Sequence, residues 1–210
     1  MGRKNLKHDS VEFAKMKIAK SFYRELYWVP GKRLWGKGPW IHEPDLVQWL
    51  EWKGGWAQYL CVTCRNEVTG VWLGYVGIPK CHWMHGLDRH DEVIQSILSH
   101  YEINYSGRFA ADDIRGDDRA ADYWYFGFDC GHGFDYSPGE EYRLKEMEKQ
   151  MVFPVFGDVF GGITKSMDVL VQRMGLVNFE TLRTKYQTYK TLDYAKSVCG
   201  TIARQLDLPK

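Results

Sequence analysis

The chain has 210 residues, 44% of them apolar and 15% aromatic, with nine Trp, thirteen Tyr and a net charge of +1. This is too hydrophobic for intrinsic disorder and supplies a core for one generous domain or two small ones. The near-neutral balance excludes a global field that would draw the protein to nucleic acid or a membrane surface.

Taken in order, Ser10–Tyr27 reads as an amphipathic helix, with Val11, Ala14, Ile18, Phe22 and Leu26 on one stripe and Asp9 or Ser10 as cap. Residues 1–37 carry ten Lys or Arg against three acids, which reads as a solvated basic face. Residues 31–44 form a Gly/Pro-punctuated loop holding Trp35 and Trp40. Val47–Trp52 reads as a strand. Ala57–Arg65 and Val71–Ile78 read as a hairpin joined by Asn66–Gly70, and Pro79 ends it. Lys80–Gly86 is a loop dense in Cys81, His82 and His85. Asp88–His100 fits either helix or strand, and Ile103–Gly107 reads as strand.

The stretch around which the rest is organised is Asp122–Gly139, DYWYFGFDCGHGFDYSPG. A ring-rich strand from Tyr123 to Phe128 runs into Asp129, Cys130, Gly131, His132, Gly133, Phe134 and Asp135. A strand alternates its side chains between faces, so this one delivers a carboxylate, a thiol and an imidazole to a loop at its end. Beyond it, Glu140–Gln150 and Ile163–Met174 read as helical. A last helix spans about Leu192–Leu206 with Thr191 as cap. The expected class is α+β: a mostly antiparallel sheet packed with N-terminal and C-terminal helices. The expected organisation is a helical arm at 1–30 and a single α+β domain at 31–210, with 150–188 as a helical insert or lid.

The five cysteines are odd in number, and MGRKNLKHDS lacks an apolar leader. No uncharged run exceeds about a dozen residues, short of the ~20 that span a bilayer. The expectation is a reduced, cytoplasmic protein with no membrane association.

A set of motifs follows in fixed order. They are Trp40 to Trp49 with Glu43, Pro44 and Asp45; Cys64-Arg65-Asn66; Gly74 to Pro79; His82 and Gly86; His100 to Gly107; Trp124 to His132; and Tyr189 to Leu206. This succession, covering roughly residues 39–207, resembles a family of uncharacterised bacteriophage proteins with the approximate pattern EPDKVQW, CGYVGVPxGHPxxG, HGGLTxSG, WWFGFDCAHxGD and YRDLxYVxxE. Trp83 stands where that pattern has Pro, Tyr101-Glu102 where it has Gly-Gly, and Phe134 enters before Asp135. The resemblance implies a phage origin and a bacterial host cell as location. It brings no established activity.

Three kinds of chemistry fit these residues. Cys61-x-x-Cys64 has the spacing of half a zinc site, to be completed by Cys81-His82 or Cys130-x-His132, but it lies in a strand-like run and buried core thiols are the commoner outcome. No metal set and no cofactor is therefore expected. For acid–base work, His82 or His132 would act, with Asp129 or Asp135 orienting. For recognition without chemistry, rings stack on bases, carboxylates accept from ribose hydroxyls, and glycines let backbone approach a phosphate. The expected ligand set is Arg65, Tyr75, His82, His85, His100, Tyr105, Asp129 and His132. The leading expectation is a phage-encoded protein that sequesters a nucleotide-derived immune signal, ADP-ribose-like or a cyclic nucleotide, and so blocks host defence. The alternatives are a hydrolase or phosphodiesterase acting on such a molecule, and a protein-binding inhibitor or virion accessory protein. A small nucleotide-like ligand is the expected partner; nucleic acid is not, and a homo-oligomer stays open.

Overall fold

The computed structural model describes residues 22–53, 57–109, 122–156 and 187–207. Its framework is one six-stranded antiparallel sheet, built from β1 (Tyr23–Leu26), β2 (Leu46–Lys53), β3 (Ala57–Arg65), β4 (Trp72–Ile78), β5 (Tyr105–Gly107) and β6 (Trp124–Asp129). The strand order is β1-β2-β3-β4-β6-β5. Among the described residues three α-helices accompany it, α1 (Glu92–Gln95), α2 (Pro138–Phe156) and α3 (Leu192–Leu206), and two short 3-10 helices, Pro30–Trp35 and Pro39–Ile41, precede β2. The α+β class is as expected. No helix among the described residues is long and apolar enough to cross a membrane.

The β3–β4 hairpin forms where the sequence places it. Asn66 starts the turn: its side-chain oxygen accepts from the N–H of Val68 and Thr69, and its carbonyl accepts from Gly70 N–H. Gly70 adopts φ 78, a left-handed value that glycine takes without strain.

Period-two alternation gives each strand two faces. Val47, Trp49, Tyr59, Cys61, Trp72, Val76, Phe126 and Phe128 fill the first, against the buried stripe of α3, Ala195, Val198, Cys199, Ile202, Ala203 and Leu206. The larger of these helix side chains each contribute about 1.5–3 kcal/mol by leaving water. Gly74 permits the close approach: a Cβ there would meet the Phe128 ring at 2.3 Å and Cys199 Sγ at 3.1 Å. Thr191 caps α3, its hydroxyl accepting from Tyr194 N–H at 3.2 Å. The second face carries Leu46, Leu60, Val62 and Tyr125, with Tyr75, Tyr105, Phe109 and Tyr123 packed against them.

Three expectations change. Tyr23–Leu26, the end of the proposed first helix, is instead an edge strand paired with β2; tertiary pairing overrides the helical stripe. The ambiguous Asp88–His100 segment holds only the single turn of α1. The helix after Pro138 runs on to Phe156 rather than ending near Gln150. The rest of the proposed first helix, and the helix at Ile163–Met174, lie outside the described residues, as does most of the proposed insert.

Candidate functional site

At the end of β6 the chain turns through Cys130, Gly131, His132, Gly133 and Phe134 to Asp135. Asp135 N–H donates to the His132 carbonyl at 2.8 Å, closing the turn. Residues 187–189 run alongside: Thr188 N–H donates to the Phe134 carbonyl at 2.9 Å, and Tyr136 N–H to the Thr188 carbonyl at 3.0 Å. On the other side of the sheet end, His100 precedes the β5 segment, and α3 brings Tyr194.

Four elements thus meet at one buried cluster. His100 Nε2 lies 2.7 Å from Asp135 Oδ2 and His100 Nδ1 lies 2.7 Å from Tyr194 Oη. With the carboxylate accepting from Nε2–H, the network assigns Nδ1 as acceptor and the Tyr194 hydroxyl as donor. Asp135 is 3% exposed and His100 6%, so the pair sits largely out of water. Asp135 Oδ2 also accepts the backbone N–H of His132 at 3.0 Å. The His132 ring lies 5.4 Å from the His100 ring, and its Nδ1 is 3.7 Å from both Asp129 Oδ1 and Asp135 Oδ2. Tyr101 stacks on His132, with ring centroids 4.1 Å apart. It does so from φ 64, a left-handed conformation that a bulky residue adopts only under constraint.

Two atoms of the cluster are buried without a hydrogen bond, His132 Nδ1 and Asp135 Oδ1. Lys190 Nζ reaches only to 3.6 Å from that Oδ1. A buried polar atom left unmatched costs about 1–3 kcal/mol. Asp129 is better served, since Asn104 Nδ2 donates to one of its oxygens and Gly131 N–H to the other.

Beside the cluster lies a cleft of about 320 Å³, within the range of small-molecule sites. Its walls are the β3–β4 turn with Asn66 and Thr69, the β6 loop with Asp129, His132 and Asp135, the start of α2 with Glu140, and Gln187. Three carboxylates and no Lys or Arg line it among the described residues. A phosphate would meet repulsion there, whereas hydroxyls and amino groups would find acceptors.

Of the eight residues of the expected ligand set, His100, Asp129 and His132 come together here, joined by Asp135. The others do not. Arg65 was expected to hold ligand, but its side chain is fully enclosed, donating from Nε to Asp45 at 3.2 Å and from Nη2 to Glu43 at 2.8 Å. Its Nη1 donates to the Gly70 carbonyl and to Tyr189 Oη, and the guanidinium lies 4.2 Å from the Trp72 ring. Nothing remains to offer a phosphate. His82 is held by main chain: Nδ1 accepts from Met84 N–H at 3.2 Å and Nε2 meets the Leu206 carbonyl at 3.0 Å. His85 packs 5.8 Å from the Trp124 ring. Trp124 begins β6 and Asp129 ends it, about 17 Å apart at the usual rise. Tyr75 and Tyr105 share Asp129's face of the sheet but sit nearer its middle, packed with Phe109 at 4.8 and 5.6 Å.

Cys61 and Cys130 are buried core thiols, the outcome favoured from the sequence. Cys61 and Cys64 point to opposite faces of β3, so they do not form half a zinc site. Burial pushes the Cys64 thiol up to about 12. Burial, then Asp135 and Asp129, does the same to Cys130, again to about 12. Neither is a thiolate nucleophile near neutral pH. Asp135 was expected only as a partner of His132; in the structure it is the hub. Tyr194, Lys190, Tyr101 and Asn104 were not foreseen as site residues. Tyr194 falls on the apolar stripe of α3, where nothing in the pattern marks its hydroxyl as used.

Fold and site together define an antiparallel α+β protein with an acidic, histidine-bearing cleft at one end of its sheet. No family model, curated protein or solved structure matches the chain.

Proposed function

We propose that the protein is a phage-encoded binding protein that captures a small nucleotide-derived immune signal in the cleft at the end of β6. The observation that carries this reading is the pairing of a ligand-sized hollow with the acceptors Asp129, Asp135 and Glu140 and the His132 imidazole. The ligand enters by its sugar hydroxyls and base amino groups, which donate to those carboxylates. Asn66 and Gln187 supply amides suited to the edge of a base. ADP-ribose-like molecules, with two riboses, fit this better than ligands recognised mainly by phosphate. The resemblance to phage proteins adds only association.

Native mass spectrometry with ADP-ribose and a panel of cyclic nucleotides tests it. Wild type is expected to retain one of these as an added mass, and Asp129→Asn with His132→Ala is expected to lose it. Retention undiminished in that double variant places the ligand elsewhere. No added mass with any of the panel removes the reading.

A second reading, hydrolysis, is favoured by the string Asp135–His100–Tyr194, an orienting carboxylate, a base and a hydroxyl in line. Heat release followed by mass analysis decides between the two. Intact ligand means capture, and a cleaved one means turnover.

A further inference from the structure

We infer that His100, His132 and Asp135 form a site for one divalent transition-metal ion, zinc by preference, although the sequence points to no metal set. Each of the three offers a donor atom, and these atoms lie within 4.8 Å of one another. Ligands on a tetrahedral ion with bonds of ~2.0–2.1 Å stand roughly 3.3 Å apart. The His100 Nε2–Asp135 Oδ2 distance of 2.7 Å and the His132 Nδ1–Asp135 Oδ2 distance of 3.7 Å bracket that spacing.

A second observation is independent of the spacing. His132 Nδ1 and Asp135 Oδ1, both buried, have no hydrogen-bond partner. These are the atom types that ligate, left unmatched in a largely enclosed place: an ion beside the Asp135 carboxylate would satisfy His132 Nδ1, and would satisfy Oδ1 as well where the carboxylate binds through both oxygens. The surroundings suit this as well. Metal-bound imidazoles usually hydrogen-bond through their other nitrogen, and the Tyr194 hydroxyl already stands 2.7 Å from His100 Nδ1. On ion uptake the His100 ring proton sits on Nδ1 rather than Nε2, and the Tyr194 oxygen accepts it. Tyr101 covers the His132 face. Lys190, 3.6 Å from Asp135 Oδ1, is the competing cation, at a distance too long for a hydrogen bond.

Two imidazoles and one carboxylate are a donor set for zinc and its neighbours rather than for magnesium or calcium, which prefer oxygen alone. Three protein ligands leave a position open, and His132 and Asp135 line the cleft. An ion there would bring positive charge into an acidic hollow and so reach a ligand's phosphate. That last clause alone rests on the proposed function.

Chelator-treated protein titrated with cobalt(II) chloride, without nucleotide, tests the site by visible d–d absorption. Wild type and the remote control His85→Gln are expected to bind one equivalent, with zinc displacing the cobalt. His132→Ala is expected to bind at least ~100-fold more weakly, its fold checked by circular dichroism. If it does not fold, Asp135→Asn, of the same shape, takes its place. An absent cobalt spectrum in wild type overturns the inference. So does equal affinity in the ligand variant. Because no nucleotide is present, failure of the ligand reading leaves this result untouched.

Discussion

Replacing Arg65 with Met tests whether this residue serves the fold or a ligand. The guanidinium makes hydrogen bonds to Asp45, Glu43, the Gly70 carbonyl and Tyr189. Four charge-assisted bonds at ~1.5–3 kcal/mol each would sum to roughly 6–12 kcal/mol. The net loss is smaller, because the carboxylates keep other partners. Asp45 retains Lys32 Nζ at 2.9 Å and the N–H groups of Trp28 and Val29. Glu43 retains Leu192 N–H at 3.0 Å and the Tyr189 hydroxyl at 2.5 Å. Met also refills the volume over Trp72. What remains is the cost of leaving buried charge without its principal counterion, about 3–5 kcal/mol. In a chain of this size that lowers the thermal midpoint by roughly 10 °C. Urea denaturation of wild type and Arg65→Met gives the difference directly. A loss below about 1 kcal/mol, accompanied by loss of ligand binding, would refute the reasoning and return Arg65 to the site.

Two more outcomes follow from single positions. Burial lowers the His82 pKa from its ordinary 6.5, opposing the Leu206 carbonyl, so the unfolded chain takes up this proton before the folded one. Stability is untouched well above pH 6.5, falls as pH drops through that value, and levels once below the folded pKa. His85 is shifted the same way by burial and Arg108. Thermal melts at about pH 7.5 and about pH 5.5 should therefore show a smaller loss in His82→Gln than in wild type; equal losses would mean that this ring is not the titrating group. Gly70→Ala should cost about 2–5 kcal/mol, combining a left-handed alanine with overpacking. Its Cβ would stand 2.7 Å from the Trp35 ring and 2.8 Å from Pro138. A denaturation midpoint unchanged from wild type would show that the turn can relax.

Much of the framework was legible because its signals are local. Asn66 to Gly70, the ring-rich β6 strand and the Thr191-capped helix each depend on neighbours within a few residues. The first-helix reading failed at Tyr23–Leu26 because the stripe there is as compatible with a strand edge, and only β2 decides which. The site was half legible. His132, Asp129 and Asp135 share one loop, so the sequence shows them together. The role of His100 as Asp135's partner could not be read, because 35 positions separate them. Arg65 misled for the same reason. An arginine at the end of a strand looks available, and the carboxylates that enclose it come from residues 43 and 45, on the segment that leads into the neighbouring strand β2.

What the sequence settled alone was the supply: an antiparallel α+β chain with a carboxylate–imidazole loop at the end of one strand. Tertiary structure chose among the four histidines that had been singled out, sending His82 and His85 to main-chain and ring contacts and drawing His100 to Asp135. Strand order and the docking of α3 bring distant residues within bonding distance, and neither is encoded in the spacing of side chains along the chain. A charged or hydrogen-bonding group is spent or spared according to what surrounds it in space.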